Sequence, residues 1–306
     1  MTRFLSVGEI MVEMAPAERG LYAMGFAGDT FNTAWYARRL LPQDWTVGYA
    51  TVAGRDPLSD RMCAFMQAEG LDTTHVQRVQ DRTLGLYMIQ LTQGERSFSY
   101  WRGQSAAKLL ADSPAALDAA FAGASVIHFS GITLAILAPD ARTRLCDALG
   151  RARATGSHIA FDTNLRPRLW DSAEAMRDGL MAGAAVADTV LPSLDEETLA
   201  FATTDAGDSI ARYRGAGASA VVVKNGGASC LAWDDVSGTV EVAPPTVPAV
   251  IDSTAAGDSF AAGYLAARAG GAALRQAVEQ ACGLAAQVVQ QRGALAHALF
   301  DKGARP

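Results

Sequence analysis

Apolar residues follow two rhythms along the chain. In the first third they form short runs of strand length, at residues 4–14 and 47–53. Residues 83–102 form an alternating stretch that reads as a hairpin turning at Gln93-Gly94. A helical pattern at 29–41 lies between the first two runs. From about residue 110 apolar runs alternate with amphipathic stretches. The runs predict strands at 125–130, 158–163, 189–192 and 220–224; the stretches predict helices at 138–155, 172–182, 195–202 and 209–214. A short strand is expected at 247–251, then helices at 257–269 and 272–291. Strands alternating with helices predict an α/β fold with a parallel sheet covered on both faces, and such sheets bind ligands beyond the carboxyl ends of their strands.

Composition narrows the field. The chain has 306 residues, half of them hydrophobic and 19% charged, enough to bury a full core. A net charge of −6 disfavours electrostatic binding to nucleic acid or acidic lipid. The N-terminal run carries Glu9 and Glu13, unlike a signal peptide, and no 18 consecutive residues are apolar. Cys63, Cys146, Cys230 and Cys282 form no C-x-x-C and are expected reduced. A cytoplasmic protein without membrane or nucleic-acid partners is the expectation.

Common chemical motifs are missing: there is no phosphate loop with G-K-[ST], no H-E-x-x-H and no G-x-S-x-G. "GAGASA" at 215–220 ends a helix and precedes a strand, so its glycines read as a C-cap and turn. His75, His128, His158 and His297 have no metal-ligand spacing.

Several segments sit where chemistry is expected. In "DSTAAGDSF" the small residues Ala255, Ala256 and Gly257 precede a helix, leaving amides 255–258 uncovered for an anion. Asp258 there reads either as an ordinary N-cap or as a functional carboxylate. In the hairpin, a turn at Gln93-Gly94 sets Tyr87 opposite Tyr100 and Gly85 opposite Arg102. Tyr87, Tyr100 and Arg102 then share a face with Ile89 and Phe98, suited to a polyol bearing a carboxylate, or simply to an amphipathic hairpin. Gly28 and Asp29 start a helix with Asn32 one turn on. In "FDTNLRP" Asp162, Asn164 and Arg166 alternate at a strand end and point the same way if the chain stays extended. Glu196 opens a helix, and Lys224-Asn225-Gly226-Gly227 ends a strand as a hairpin turn or a nucleotide-edge loop.

Taken in order, "GDTFN", "FDTNLRP" and "DSTAAGDSF" resemble the ribokinase-like (phosphofructokinase-B type) carbohydrate kinases over nearly the whole chain. "GLYMIQ", "ERSFSYWRGQSAA" and "FSGITLAIL" look most like the branch of that family acting on 2-keto-3-deoxygluconate. The resemblance implies a three-layer α/β/α ribokinase-like fold, a single domain over 1–306. A small β-sheet lid, built from strands within about 10–27 and 83–102, would often serve as a dimer contact. It implies ATP as donor, Mg²⁺, room for a monovalent cation such as K⁺, and transfer to the 6-hydroxyl of the sugar acid. Asp258 matches the family's catalytic base, and Ala255, Ala256 and Gly257 its anion hole. Gly28, Asp29 and Asn32 match sugar-hydroxyl ligands, and Tyr87, Tyr100 and Arg102 the acid-sugar lid contacts. Asn164 and Arg166 match a pair lying between sugar and ATP phosphates. Glu196 matches a glutamate linked to Mg²⁺ through water, and Lys224, Asn225, Gly226 and Gly227 the ATP-edge loop. Two positions depart from the family pattern. Ala255 stands where glycine is usual, so the anion hole is expected to survive if its φ is negative. Ser193 stands where asparagine is usual in the nucleotide site. A neutral-sugar kinase for fructose or ribose, and a catalytically silent sugar-acid-binding protein, are the rival readings.

Overall fold

The computed structural model describes residues 2–92 and 95–301. Thirteen strands are present among them: β1 (Arg3–Val7), β2 (Met11–Pro16), β3 (Tyr22–Ala27), β4 (Thr46–Gly54), β5 (Val76–Val79), β6 (Leu86–Thr92) and β7 (Glu95–Trp101), then β8 (Val126–Ser130), β9 (His158–Asp162), β10 (Thr189–Val190), β11 (Ala220–Val223), β12 (Cys230–Asp234) and β13 (Gly238–Val242). Nine form one sheet in the order β13-β12-β11-β10-β9-β8-β1-β4-β5. All its pairings are parallel except the β11–β12–β13 edge. Successive residues of its strands face opposite layers: Ile159 and Phe161 pack into one apolar core, Ala160 between them into the other. Helices therefore cover both faces, as continuous apolar strands require. The ribokinase-like α/β/α architecture expected from the motifs is the one observed.

The second sheet has the order β3-β2-β6-β7. It explains why the single run expected at 4–14 is two strands in two sheets. At Gly8 a Cβ would stand 2.3 Å from the Thr30 hydroxyl, so the chain there presses against the helix Asp29–Leu40 before turning into β2. In the hairpin, Tyr87 pairs with Tyr100 and Ile89 with Phe98; the Gln93-Gly94 turn lies outside the described residues.

One expected strand is absent. Residues 247–251 are irregular, with Val250 and Ile251 exposed. Pro244, Pro245 and Pro248 lack the N–H groups that a sheet pairing needs. Several elements lacked a sequence prediction, among them β5, β12, β13 and the helices Pro57–Ala68 and Pro114–Phe121. The helix Pro57–Ala68 is capped by Asp56, whose carboxylate accepts from the N–H groups of Leu58 and Ser59 at 3.0 Å each. Strands β12 and β13 make the antiparallel edge.

The crevice that matters lies where β1, β8 and β9 end. Strand order reverses about β1, which sends the chain to β4 on one side and pairs with β8 on the other, a topological switch point. No described helix is long and apolar enough to cross a membrane.

Candidate active site

The helix Ala256–Ala269 points its first turn into this crevice. Its N-cap is Ala255, in the left-handed region with φ 59° and ψ 16°. The sequence-based expectation of negative φ is thus corrected. A left-handed residue entering a right-handed turn aims successive N–H groups at one point, which is how a backbone nest is built. That geometry costs an alanine roughly 1–2 kcal/mol. The four amides of 255–258 are not all uncovered, because Ala256 donates to the Ser253 carbonyl at 3.2 Å. The remaining first-turn groups have no acceptor within the helix. Ala255→Gly is expected to leave stability within about 1 kcal/mol, since relief of strain is offset by the freedom glycine gains in the unfolded chain. Ala255→Val, with a β-branched side chain at positive φ, is expected to lower the melting temperature clearly. Thermal melts of both variants check this.

Asp258 is not an N-cap. It lies inside the first turn, and its Oδ2 accepts from Asn32 Nδ2 at 2.7 Å. Withdrawal from water pushes its pKa up to about 8; the nearby Asp29 and Asp162 carboxylates add to the rise, while the Asn32 hydrogen bond and Lys224 oppose it. Asn32 comes from the helix Asp29–Leu40, and its Oδ1 is buried without a partner among the described residues. Asp29, the first residue of that helix, accepts from Asn164 Nδ2 at 2.8 Å. Gly28 before it has extended backbone, open to any residue. Its requirement is space: a Cβ would stand 2.2 Å from the Glu9 carbonyl. Gly28→Ala is accordingly expected to destabilise the fold by about 1–3 kcal/mol, the usual range for overpacking, measurable by chemical denaturation.

The segment after β9 does not stay extended, so Asp162, Asn164 and Arg166 do not point the same way. Asn164 has φ 29° and turns the chain. Asp162 instead receives Lys224 Nζ at 2.8 Å from the end of β11. Arg166, exposed, pairs with Glu196 at 3.2 Å. Burial lowers the Lys224 pKa, but Asp162, Glu196 and Asp258 together raise it further, so its ammonium stays charged. Lys224 Nζ lies under the helix start, 3.6 Å from where a Cβ on Gly257 would sit. Its side chain thus belongs with the carboxylates; the edge loop proper is Asn225 to Gly227, closed by a hydrogen bond from Ala228 N–H to the Asn225 carbonyl at 2.8 Å.

Glu196 sits in the first turn of the helix Leu194–Phe201, after N-cap Ser193, and accepts from Thr163 Oγ1 at 3.3 Å. Burial, foremost, raises its pKa. Among the described residues no three His, Cys, Asp or Glu side chains cluster as a metal cage. A hydrated Mg²⁺ needs no such cage, because it keeps several waters and takes one or two carboxylates plus phosphates. Glu196 beside Asp162 fits that role. Next to these groups a cavity of about 550 Å³ runs between Asn225–Gly227, Pro244–Pro245 and Ala256–Gly257, floored by Phe260 and Val289.

The small sheet supplies the opposite wall. The rings of Tyr87 and Tyr100 lie 5.9 Å apart, and those of Phe98 and Tyr100 6.2 Å. Tyr87 is buried and donates to Glu13; burial, with the Glu13 and Asp258 charges, holds its hydroxyl well above the usual tyrosine range. Arg102 pairs with Glu9, a buried carboxylate that also accepts from Ser105, and Arg102 Nε is buried without a partner among the described residues. Glu9 and Glu13 belong to no sequence motif of the site. The available signal was two carboxylates inside an otherwise apolar strand run.

Known proteins resemble this chain over nearly its whole length. The chain is 40% identical over 296 residues to the 2-dehydro-3-deoxygluconokinase of Escherichia coli K12, covering 94% of this chain and 95% of that one. A solved PfkB protein from Polaromonas sp. JS666 superposes with a TM-score of 0.85 at 29% identity, over 99% of this chain and 100% of that chain. A fructokinase from Xylella fastidiosa with bound ATP superposes at 0.82 and 25% identity, over 95% and 93%. Residues 1–299 match the pfkB family carbohydrate kinases as a group, and with an E. coli relative alike over nearly its whole length, this chain belongs to the pfkB family of carbohydrate kinases.

Proposed function

We propose that the protein transfers the γ-phosphate of ATP to the 6-hydroxyl of 2-keto-3-deoxygluconate, with Asp258 as general base. The observation that carries this reading is Asp258 itself. It is a carboxylate with its pKa held up to about 8, set at a helix start whose amides suit an anion. The attacking hydroxyl gives its proton to Asp258, while amides of Ala255, Gly257 and Asp258 stabilise charge on the transferred group. Gly28, Asp29 and Asn32 line the sugar's position; the orphaned Asn32 Oδ1 accepts a hydrogen bond from a sugar hydroxyl. Tyr87 and Tyr100 floor the sugar, and Arg102 Nε meets the carboxylate. Asn164 holds Asp29 in place, and Arg166 with Lys224 offsets phosphate charge. The cavity beside Asn225, Gly226 and Gly227, with Ser193 at its edge, takes the nucleotide, in keeping with the ATP of the Xylella fructokinase. Mg²⁺, when bound, neutralises phosphate charge, and Glu196 holds it through water. Replacing K⁺ by a bulky ammonium reads out whether a monovalent cation raises turnover.

The small sheet is the lid over the sugar. Tyr22 and Trp101, on the face away from Tyr87, are exposed, which favours a homodimer through that sheet, to be read by sedimentation velocity. A coupled assay for ADP release, run on 2-keto-3-deoxygluconate, fructose and ribose, tests the substrate. The sugar acid is expected to give the highest kcat/KM; higher values for fructose or ribose would replace it with the neutral-sugar reading. Sugar-acid binding without ADP release supports a silent binding protein.

A further inference from the structure

The wall of the nucleotide cavity holds a pair of thiols that the phosphoryl-transfer chemistry does not use. Cys230, on β12, and Cys282, on the helix Leu274–Val288, both line it. They are 52 residues apart in sequence, so no spacing motif announces them, yet their sulfurs lie 3.8 Å from each other. That is close to van der Waals contact. Each is almost fully buried within the protein, 4% and 3% exposed, so the cavity is the route by which a reagent reaches them. The two remaining cysteines differ. Cys146 is buried in the core of the other layer, and Cys63 is half-buried beside Arg78, 3.7 Å away. Either sulfur can donate to the other; that contact, with the Asn225 backbone and Lys224, lowers the Cys230 pKa against the burial that raises it. Thiolate at that position is the nucleophile that disulfide exchange needs.

We propose that Cys230 and Cys282 are an oxidisable dithiol whose disulfide ties β12 to the helix Leu274–Val288 across the cavity wall and weakens binding of whatever occupies that cavity. It rests on the proposed function only for identifying the occupant as a nucleotide. The oxidant is a low-molecular-weight disulfide. The Cys230 thiolate attacks one of its sulfurs, forming a mixed disulfide and releasing one small thiolate. The Cys282 sulfur, giving up its proton, then attacks the Cys230 sulfur and releases the second. Two protein thiols are oxidised and one small disulfide is reduced to two thiols.

The test uses the full chain and oxidised glutathione as probe. Thiol titration after denaturation is expected to fall from four groups to two, dithiothreitol to restore all four, and ATP present during oxidation to slow the loss. ATP affinity by calorimetry is expected to weaken on the order of tenfold or more in the oxidised protein. Cys230→Ser and Cys282→Ser are each expected to abolish the two-thiol loss, and Cys63→Ser to leave it unchanged. Retention of four thiols in the wild type overturns the proposal, as does a disulfide that leaves ATP affinity unchanged in a protein that binds ATP when reduced. If the reduced protein binds no ATP while the pair still oxidises, the dithiol is supported and the nucleotide reading of the cavity is what fails.

Discussion

Replacing Asp258 by asparagine is expected to lower kcat by a factor on the order of 10² or more, with KM for the sugar largely kept. Asparagine fills the same space and can still meet the Asn32 side chain, but it takes up no proton. Near-normal turnover would remove Asp258 as the base. The pH dependence carries a second check. A base must be ionised, so kcat/KM in the wild type is expected to rise with pH toward about 8, the value to which the site holds this carboxyl. The asparagine variant is expected to lose that limb of the profile. Stability moves oppositely. The folded pKa lies above the unfolded value of about 4, so the folded state holds the proton more tightly. Stability from this group is complete below about 4 and is lost as pH rises through the folded value. Asp258→Asn removes the charge that the fold opposes, so its melting temperature is expected to exceed the wild type by several degrees at pH 8. The gap should close as the pH falls toward about 4. A catalytic carboxylate held at a cost to stability predicts both signs together; a purely structural aspartate predicts a loss of stability instead.

The layered sheet and the hairpin register were legible because side-chain alternation and helix periodicity report them directly. Elements at the edge were not. β12 and β13 are short and follow a glycine turn, and the helix Pro57–Ala68 announces itself mainly through Asp56 and Pro57 at its start. The segment before Asp252 has a strand's hydrophobicity, but its prolines remove the N–H donors that a sheet pairing needs. At the site, local motifs correctly marked where side chains start but not whom they meet. Asn164 turns back to Asp29 because its backbone is left-handed, which no alternation pattern reveals. Lys224 leaves its loop to bond Asp162, 62 residues away, a pairing created where β9 and β11 end on either side of the short β10. Glu9 and Arg102, 93 residues apart, meet only once the two sheets face each other.

That last pair changes what removing Arg102 should do. Read from the hairpin alone, the guanidinium is free for the substrate carboxylate. In the folded protein it also neutralises Glu9, whose side chain is 1% exposed. Arg102→Ala therefore strips two partners at once. The substrate loses a charge-assisted donor, which is expected to raise KM for the sugar acid roughly 30-fold, the equivalent of about 2 kcal/mol for one partner of a desolvated charge pair. KM for a neutral sugar should change little. Glu9 is left as an uncompensated buried carboxylate, and breaking such a pair typically costs about 3–5 kcal/mol of stability. The two effects separate in a second variant. Adding Glu9→Gln to Arg102→Ala removes the stranded charge and is expected to restore much of the lost melting temperature, while KM for the acid stays high. If Glu9→Gln restores both, Arg102 acts by organising the β1–β2 turn and the end of β7 rather than by gripping the substrate. Equal KM increases for acid and neutral sugars would dismiss the carboxylate contact altogether.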